Sequence, residues 1–274
     1  MVDQYAVIGN PIAHSKSPLI HEQFAQQTNQ DMNYSAILGQ PGELMAAIEE
    51  FRQQGGKGLN VTVPFKQDAW QLVDIRNSNA DKAGAVNTII LQADGDLIGD
   101  NTDGIGLVSD LVKNIQCEIK NKTLLMLGAG GAVRGVLSPL LAEQPAKIIV
   151  ANRTKAKADE LALLFADEGN IQSCAFDDLG NKSFDIVING TAASLSGAIP
   201  SIPESVVQSA VCYDMMYGAD DTAFNQWAKQ HNAKATWDGL GMLVEQAAQS
   251  FYLWRNVRPD TQTVIKQIRD SLSS

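Results

Sequence analysis

Long apolar runs are missing from this chain. No stretch reaches the roughly twenty apolar residues that a membrane helix needs, which excludes a helical membrane span. The opening residues, Met1-Val2-Asp3-Gln4, carry neither a basic segment nor an apolar core, so no secretory signal is expected. Positive charge is in deficit: 21 Lys and Arg stand against 31 Asp and Glu, a net charge of −10. Such a field repels nucleic acid and anionic membranes, and neither is expected as a partner. It repels an anionic substrate too, so any anion site has to be assembled from local donors. Cysteine is scarce. Cys117, Cys174 and Cys212 are odd in number and lack metal-ligand spacing, so no metal is expected. All three lie in or near apolar runs and read as buried free thiols of a reducing compartment, the cytosol. Charged residues make up only 19%, which excludes a disordered or strongly solvated chain.

What is present is core. Apolar residues are 45% of 274, enough for two domains, with one large α/β domain as the alternative. Short apolar runs alternate with helical patterns. Strands are expected at 5–8, 33–38 and 58–63, and helices at 17–27, 42–53 and 65–73. Ser17 reads as the N-cap of the first helix and Pro18 as its first residue. Residues 85–92 and 96–99 read as a hairpin turning on Asp94-Gly95. This order implies a mostly parallel sheet covered by helices. After a helix running from Asp103 to about Ile115, the alternation restarts. Strands at 123–127, 147–151, 172–175, 185–189, 210–214 and 233–236, with helices at 131–141, 154–165 and 219–230, resemble a dinucleotide-binding unit. The tail, 240–254 and 259–272, is two helices with no strand, and Pro259 reads as the opening of the second.

Two signals carry nucleotide chemistry. Gly128-Ala129-Gly130-Gly131-Ala132 follows a strand and opens a helix. Glycines there permit a tight turn and bring backbone N–H groups to a pyrophosphate, with the helix N-terminus adding positive charge. The third glycine of the general fingerprint is replaced by Val133. At the end of the next strand stands Asn152-Arg153-Thr154, where an NAD site usually carries a carboxylate for the ribose 2′-OH. A guanidinium there grips a 2′-phosphate that a carboxylate repels. The alternative is a solvated arginine with Asn152 capping the next helix.

Four segments of the first half are expected to place polar residues just after apolar strands, at the strand ends that line one crevice of a parallel sheet: His14–Ser17, Asn60–Lys66, Gly84–Thr88 and Gly99–Gly104. Singly, each is better explained by caps and turns, Asp103 for instance as the N-cap of a helix at Ile105. Together they resemble the shikimate dehydrogenase family. The resemblance rests on Ser-Lys-Ser-Pro at 15–18, Asn-Val-Thr-Val-Pro-Phe-Lys at 60–66, Gly-Ala-Val-Asn-Thr at 84–88 and Asp-Asn-Thr-Asp-Gly at 100–104. It continues through Gly-Ala-Gly-Gly-Ala at 128–132, Asn-Arg-Thr at 152–154, Tyr-Asp-Met-Met-Tyr at 213–217 and Asp-Gly-Leu-Gly-Met-Leu-Val-Glu-Gln at 238–246.

That resemblance implies reversible NADPH-dependent reduction of 3-dehydroshikimate to shikimate, a step toward chorismate and the aromatic amino acids. It implies an α/β protein of two domains: residues 1–103 with 239–274 binding substrate, and 104–238 forming a Rossmann domain for NADP(H). The tail helices would return to the first domain, leaving the active site in the cleft. Lys66 and Asp103 would be the catalytic pair. Substrate would be held by Ser15, Ser17, Thr62, Asn87, Tyr217 and Gln246. The cofactor set would be Gly128, Ala129, Gly130, Gly131, Ala132, Asn152, Arg153, Thr154, Lys157, Met215, Gly239 and Met242. Gly239, Met242 and Gln246 fall on one helical face by their spacing, although Met242 equally suits core packing. Family members occur as monomers and as homodimers, and the resemblance implies one or the other here. Three rivals remain at this level: an NAD-using quinate/shikimate dehydrogenase, a methylenetetrahydrofolate dehydrogenase, and a silent NADPH-binding module. Asn152-Arg153 argues against the first, Ser15, Ser17 and Asn87 against the second, and intact Lys66 and Asp103 against the third.

Overall fold

The alternation of β-branched runs with amphipathic stretches becomes twelve strands and ten α-helices among residues 2–272, which the computed structural model describes. They group into two units. The first runs through Gly106 and takes in Val244–Ile268; the second is Leu107–Leu243 with the chain from Arg269 onward.

The first unit holds strands β1 (Asp3–Gly9), β2 (Met32–Leu38), β3 (Gly56–Val61), β4 (Ile75–Arg76), β5 (Thr88–Leu91) and β6 (Leu97–Asp100). Its sheet order is β2-β1-β3-β5-β6-β4. Helices α1 (Ser17–Thr28), α2 (Leu44–Gln53), α3 (Lys66–Leu72) and α4 (Ser78–Ala83) connect the strands. The sheet is parallel except for β5, which runs against both β3 and β6. That reversal follows from the short hairpin joining β5 to β6, since a tight turn can only join antiparallel strands. Consequently the start of β5 shares an edge with the ends of its neighbours: Thr88 pairs with Asn60 and with Asp100. Ile8, Ile48, Leu59, Phe65, Val86 and Ile89 are buried in the core of this unit.

The second unit holds β7 (Thr123–Leu127), α6 (Gly131–Ala142), β8 (Lys147–Asn152), α7 (Lys155–Leu164), β9 (Ile171–Ala175), β10 (Ile186–Asn189), β11 (Val211–Asp214), α8 (Ala223–Gln230) and β12 (Ala235–Asp238). All its strands are parallel, in the order β12-β11-β10-β7-β8-β9. Read by chain position this is the 3-2-1-4-5-6 order of a dinucleotide-binding sheet, with its switch point between β7 and β10. Helices α5 (Asp103–Ser109), α9 (Leu240–Arg255) and α10 (Thr261–Leu272) each contain a point where the chain passes from one unit to the other. No helix among the described residues is long and apolar enough to cross a membrane.

Several local expectations are corrected. Ser17 does not cap α1: Lys16 takes the cap position without a side-chain bond, and Ser17 is already helical. Asp103 is the first residue of α5 rather than its cap, its N–H donating to Asn101 Oδ1 and its carboxylate meeting Lys66. Asn152 does not cap α7; Thr154 stands there. The last helix begins at Thr261, where Asp260 accepts bonds from Gln262 and Thr263, so Pro259 precedes it. Helix α8 starts at Ala223, capped by the Thr222 hydroxyl, rather than at Ala219. Cys117 is only partly buried, whereas Cys174 and Cys212 are buried, and all three are free thiols. Two elements gave no strong signal: the two-residue β4, and α4, which Asn77 caps through a bond from the Ala80 N–H.

Beneath the first sheet lies a fully buried imidazole. His21 stacks on Tyr34 at 4.1 Å and 5°, with Phe24, Phe251 and Trp254 around it. Neither ring nitrogen has a hydrogen-bond partner. Burial pushes its pKa down to about 3, so the native state keeps it neutral while the unfolded chain protonates it near its ordinary 6.5. The stability that His21 contributes is therefore complete above pH 6.5 and is lost as pH falls toward 3. Between pH 7.5 and 5 the native protein should lose about 2 kcal/mol more stability than His21→Phe. Urea unfolding at both pH values measures this, and parallel losses would refute it.

Candidate active site

In the first unit, α3 begins at Lys66 just beyond β3, and α5 begins at Asp103 just beyond β6. Both starts lie at the edge to which antiparallel β5 delivers Asn87. The Lys66 ammonium meets Asp103 Oδ2 at 2.6 Å. Their side chains remain 29% and 16% exposed, enough to be reached by a small molecule yet drier than the surface. Asn87 Nδ2 donates to Asp103 Oδ1 at 2.8 Å, so one carboxylate holds an ammonium and an amide at once.

Asn87 is itself over-determined. It is 2% exposed. Its Oδ1 accepts from the Thr102 N–H at 2.9 Å and from the Thr88 hydroxyl at 2.9 Å. Its Nδ2 also reaches Thr102 Oγ1 at 3.0 Å and Gln246 Oε1 at 3.4 Å. Behind it, Asn60 Nδ2 bonds the Asn87 carbonyl, Thr88 Oγ1 and Ser250 Oγ, while the Tyr34 hydroxyl donates to Asn60 Oδ1 at 2.7 Å. The Ser250 hydroxyl touches Thr88 Oγ1 at 2.8 Å, one helical turn after Gln246. Buried polar networks hold one geometry when fully satisfied.

The three hydroxyl candidates lie in the same unit. Ser15 Oγ accepts the Ser17 N–H at 3.3 Å, and Ser17 is the first residue of α1. The Thr62 backbone N–H bonds the Ile8 carbonyl, and its hydroxyl has no partner among the described residues.

In the second unit, Gly128 turns at φ 104° and donates its N–H to the Ala151 carbonyl. Gly130 sits at the α6 N-cap with no side-chain cap, and Gly130, Gly131 and Ala132 are exposed. A Cβ at Gly130 or Gly131 would meet nothing within 4 Å. No protein atom demands glycine there, and the backbone N–H groups of the helix N-terminus are left bare. The third fingerprint glycine has moved to the facing strand end. Val133 is fully buried, and a side chain on Gly190 would overlap it.

Asn152 ends β8 and donates to the Thr154 carbonyl at 2.9 Å. Arg153 and Lys157 are exposed and make no ion pair among the described residues, and the first turn of α7 carries no acid. An anion placed there meets two cations and a hydroxyl. On the opposite side of the switch point, Met215 follows β11, and Gly239 lies against the Met215 carbonyl so closely that a side chain would overlap it. Gly239 therefore precedes α9 rather than sharing its face, and Met242 packs in the core with Tyr213. Tyr217 is half-buried, its phenol pushed up first by burial and then by Asp238. No cluster of metal ligands occurs among the described residues.

Comparisons with known proteins point one way. Residues 7–89 match the shikimate dehydrogenase substrate binding domain, 110–208 match shikimate / quinate 5-dehydrogenase, and 239–269 match the shikimate 5′-dehydrogenase C-terminal domain. The shikimate dehydrogenase (NADP(+)) of Herminiimonas arsenicoxydans is 56% identical, over 99% of both chains. That of Cellvibrio japonicus is 52% identical, again over 99% of both. The chain belongs to the shikimate dehydrogenase family. Among solved structures, an Ael1 enzyme from Pseudomonas putida superposes with a TM-score of 0.94 at 45% identity, covering 97% of each chain. Shikimate 5-dehydrogenase from Thermus thermophilus, in complex with NADP(H) and shikimate, gives 0.86 at 30% identity, covering 98% of this chain and 99% of that one.

In this member of the family, Lys66, Asp103, Asn87 and Gln246 form one hydrogen-bonded group. Reading the sequence for site residues missed Asn60, Thr88, Thr102, Ser250 and Tyr34. The first three stand inside the recognised motifs, and Ser250 follows Gln246 by one turn; Tyr34 carried no signal. Asn87→Leu should lose about 1–3 kcal/mol of stability, the cost of buried groups left unpaired. Urea unfolding checks this, and a loss below about 0.5 kcal/mol would show that the network closes without it.

Proposed function

We propose that this chain is an NADP(H)-linked shikimate dehydrogenase, reversibly reducing 3-dehydroshikimate to shikimate on the route to chorismate and the aromatic amino acids. The observation that carries the reading is the Lys66–Asp103 pair at 2.6 Å with Asn87 on the second carboxylate oxygen. NADPH, when bound, supplies the hydride. Reduction of a ketone builds negative charge on its oxygen, and the Lys66 ammonium is the group that neutralises and protonates it. Asp103 orients Lys66 and shares the proton. Ser15 and Ser17 suit the substrate carboxylate through hydroxyls, which an acidic chain without a basic patch requires. Thr62, Asn87 and Gln246 suit the ring hydroxyls. Hydrogen bonds of this kind reject analogues that lack a hydroxyl by large factors. For Tyr217, in the second unit, the assignment rests on the family motif alone.

NADP(H) fits the residues of the second unit. The bare helix start at Gly130–Gly131 suits the pyrophosphate, and Arg153, Thr154 and Lys157 suit the 2′-phosphate. Asn152 stands where a carboxylate would favour NAD. Met215 and Gly239 are assigned to the nicotinamide, with Met242 packed behind them. Lys66, Asp103 and Asn87 come from one chain, so a monomer and a homodimer serve this chemistry equally. Three free thiols accord with a cytosolic enzyme.

Following nicotinamide absorbance with shikimate and quinate, each with NADP and NAD, tests the reading: shikimate with NADP should be the fastest pair. Lys66→Ala should lower kcat at least about a hundredfold with little change in the substrate KM. A variant retaining most of its kcat would remove Lys66 from proton transfer. Arg153→Ala should raise the KM for NADPH by about ten- to a hundredfold and leave that for NADH nearly unchanged. Equal losses with both cofactors would overturn the 2′-phosphate assignment.

A further inference from the structure

Asp110 is a carboxylate that none of the chemistry above uses. It opens a single π-turn, Asp110–Asn114, that continues α5, closed by the Ile115 N–H on its carbonyl. It is 4% exposed. Burying an ionised group is costly unless it is fully bonded, so its partners matter. Asn114 Nδ2 donates to Oδ1 at 2.9 Å. The hydroxyl of fully buried Tyr213 donates to Oδ2 at 2.7 Å. Tyr213 also packs with Met242 in the core of this unit. Burial, and then the Asp110 charge, hold the phenol far above its ordinary pKa, so it remains a donor. Gly241 lies so close to the carboxylate that any side chain there would overlap it.

These contacts converge on the first turn of α9. The opening N–H groups of a helix have no partner within it. Here Leu240 N–H is met by Asp238 Oδ1 at 3.2 Å, and the Asp110 carboxylate lies against Gly241. A buried negative charge beside this helix start is also favoured by the helix dipole. The same turn is fastened on its other side, since Gly239 N–H bonds the Met216 carbonyl at 3.0 Å and Gly239 abuts Met215. Residues 213–216 and 239–242 thus form one rigid piece with Asp110 as its buried anchor.

We propose that Asp110 is a positioning residue for the nicotinamide half of the cofactor, acting through the Tyr213 hydroxyl and the first turn of α9. The inference rests on the reading of Met215 and Gly239 as nicotinamide neighbours. It has a signature that general destabilisation lacks. The adenosine end of the site is on β7 and β8, and β11 lies three strand spacings from β8 in the sheet, roughly 14 Å. Loss of the anchor should weaken binding at one end of the cofactor and leave the other untouched.

The test uses intact protein and two ligands: NADPH, and adenosine 2′,5′-bisphosphate, which carries the 2′-phosphate but no nicotinamide. Asp110→Asn removes the charge at constant size. It should weaken NADPH about tenfold, the scale of one hydrogen bond to a charged group, and leave the bisphosphate within about twofold. Tyr213→Phe breaks the same chain at its next link, should show the same selectivity, and decides the matter if Asp110→Asn does not fold. Normal NADPH binding by Tyr213→Phe, or equal weakening of both ligands, would overturn the proposal. Failure of the unaltered protein to bind either ligand would instead sink the assignment of the cofactor itself.

Discussion

One carboxylate organises the first unit. Asp103 accepts an ammonium on one oxygen and an amide on the other, from chain segments that meet only at the edge of a folded sheet. Remove that carboxylate and Lys66 loses its partner and Asn87 loses one of its fixed bonds. The network behind it is the structural complement. Asn60, Thr88, Thr102 and Ser250 bond one another and hold Asn87 and Gln246. A partly satisfied network would cost more than an apolar core, so its completeness is what makes burial of so many polar groups tolerable.

The acidity of the chain shapes how it handles anions. With a net charge of −10 there is no broad positive field to draw them in. Positive potential is instead supplied point by point: an exposed helix start at Gly130, two exposed cations at Arg153 and Lys157, and one ammonium at Lys66. Short-range donors select by shape, because each must be matched by a ligand atom, whereas a diffuse field selects only by charge.

Close backbone approach is the second recurring device. Val133 fills the position where the fingerprint has its third glycine, and Gly190 on the neighbouring strand end makes the space for it. The close approach of helix and sheet at this point rests on Gly190 rather than on a glycine at 133. Gly239 against Met215, and Gly241 against Asp110, do the same for the start of α9. In each case the missing side chain is explained by one identified atom group, which a sequence pattern cannot supply.

Local chemistry was legible without coordinates. The alternation of strands and helices, the glycine turn at 128–132, the missing carboxylate at Asn152 and the eight ordered motifs all depend on neighbours a few residues apart. Local spacing carries the elements and the glycine turn, and the resemblance to a known family carries the motifs. What depended on distant partners was not legible. Ser17 and Asp103 read as helix caps because local propensity favours them there, yet both are already helical, and the Asp103 carboxylate is held by Lys66. The sequence reading places Asn87 just after a strand, whereas it precedes β5 and reaches the common edge because β5 runs backwards, as the expected hairpin implies. Tyr34 and Ser250 joined the network from 26 and 190 residues away from Asn60. By itself the sequence determined which groups this protein possesses and the order of its elements. Only the tertiary structure decided which of those groups meet, because a hydrogen bond tests position to within a fraction of an ångström, and position is a property of the packed sheet.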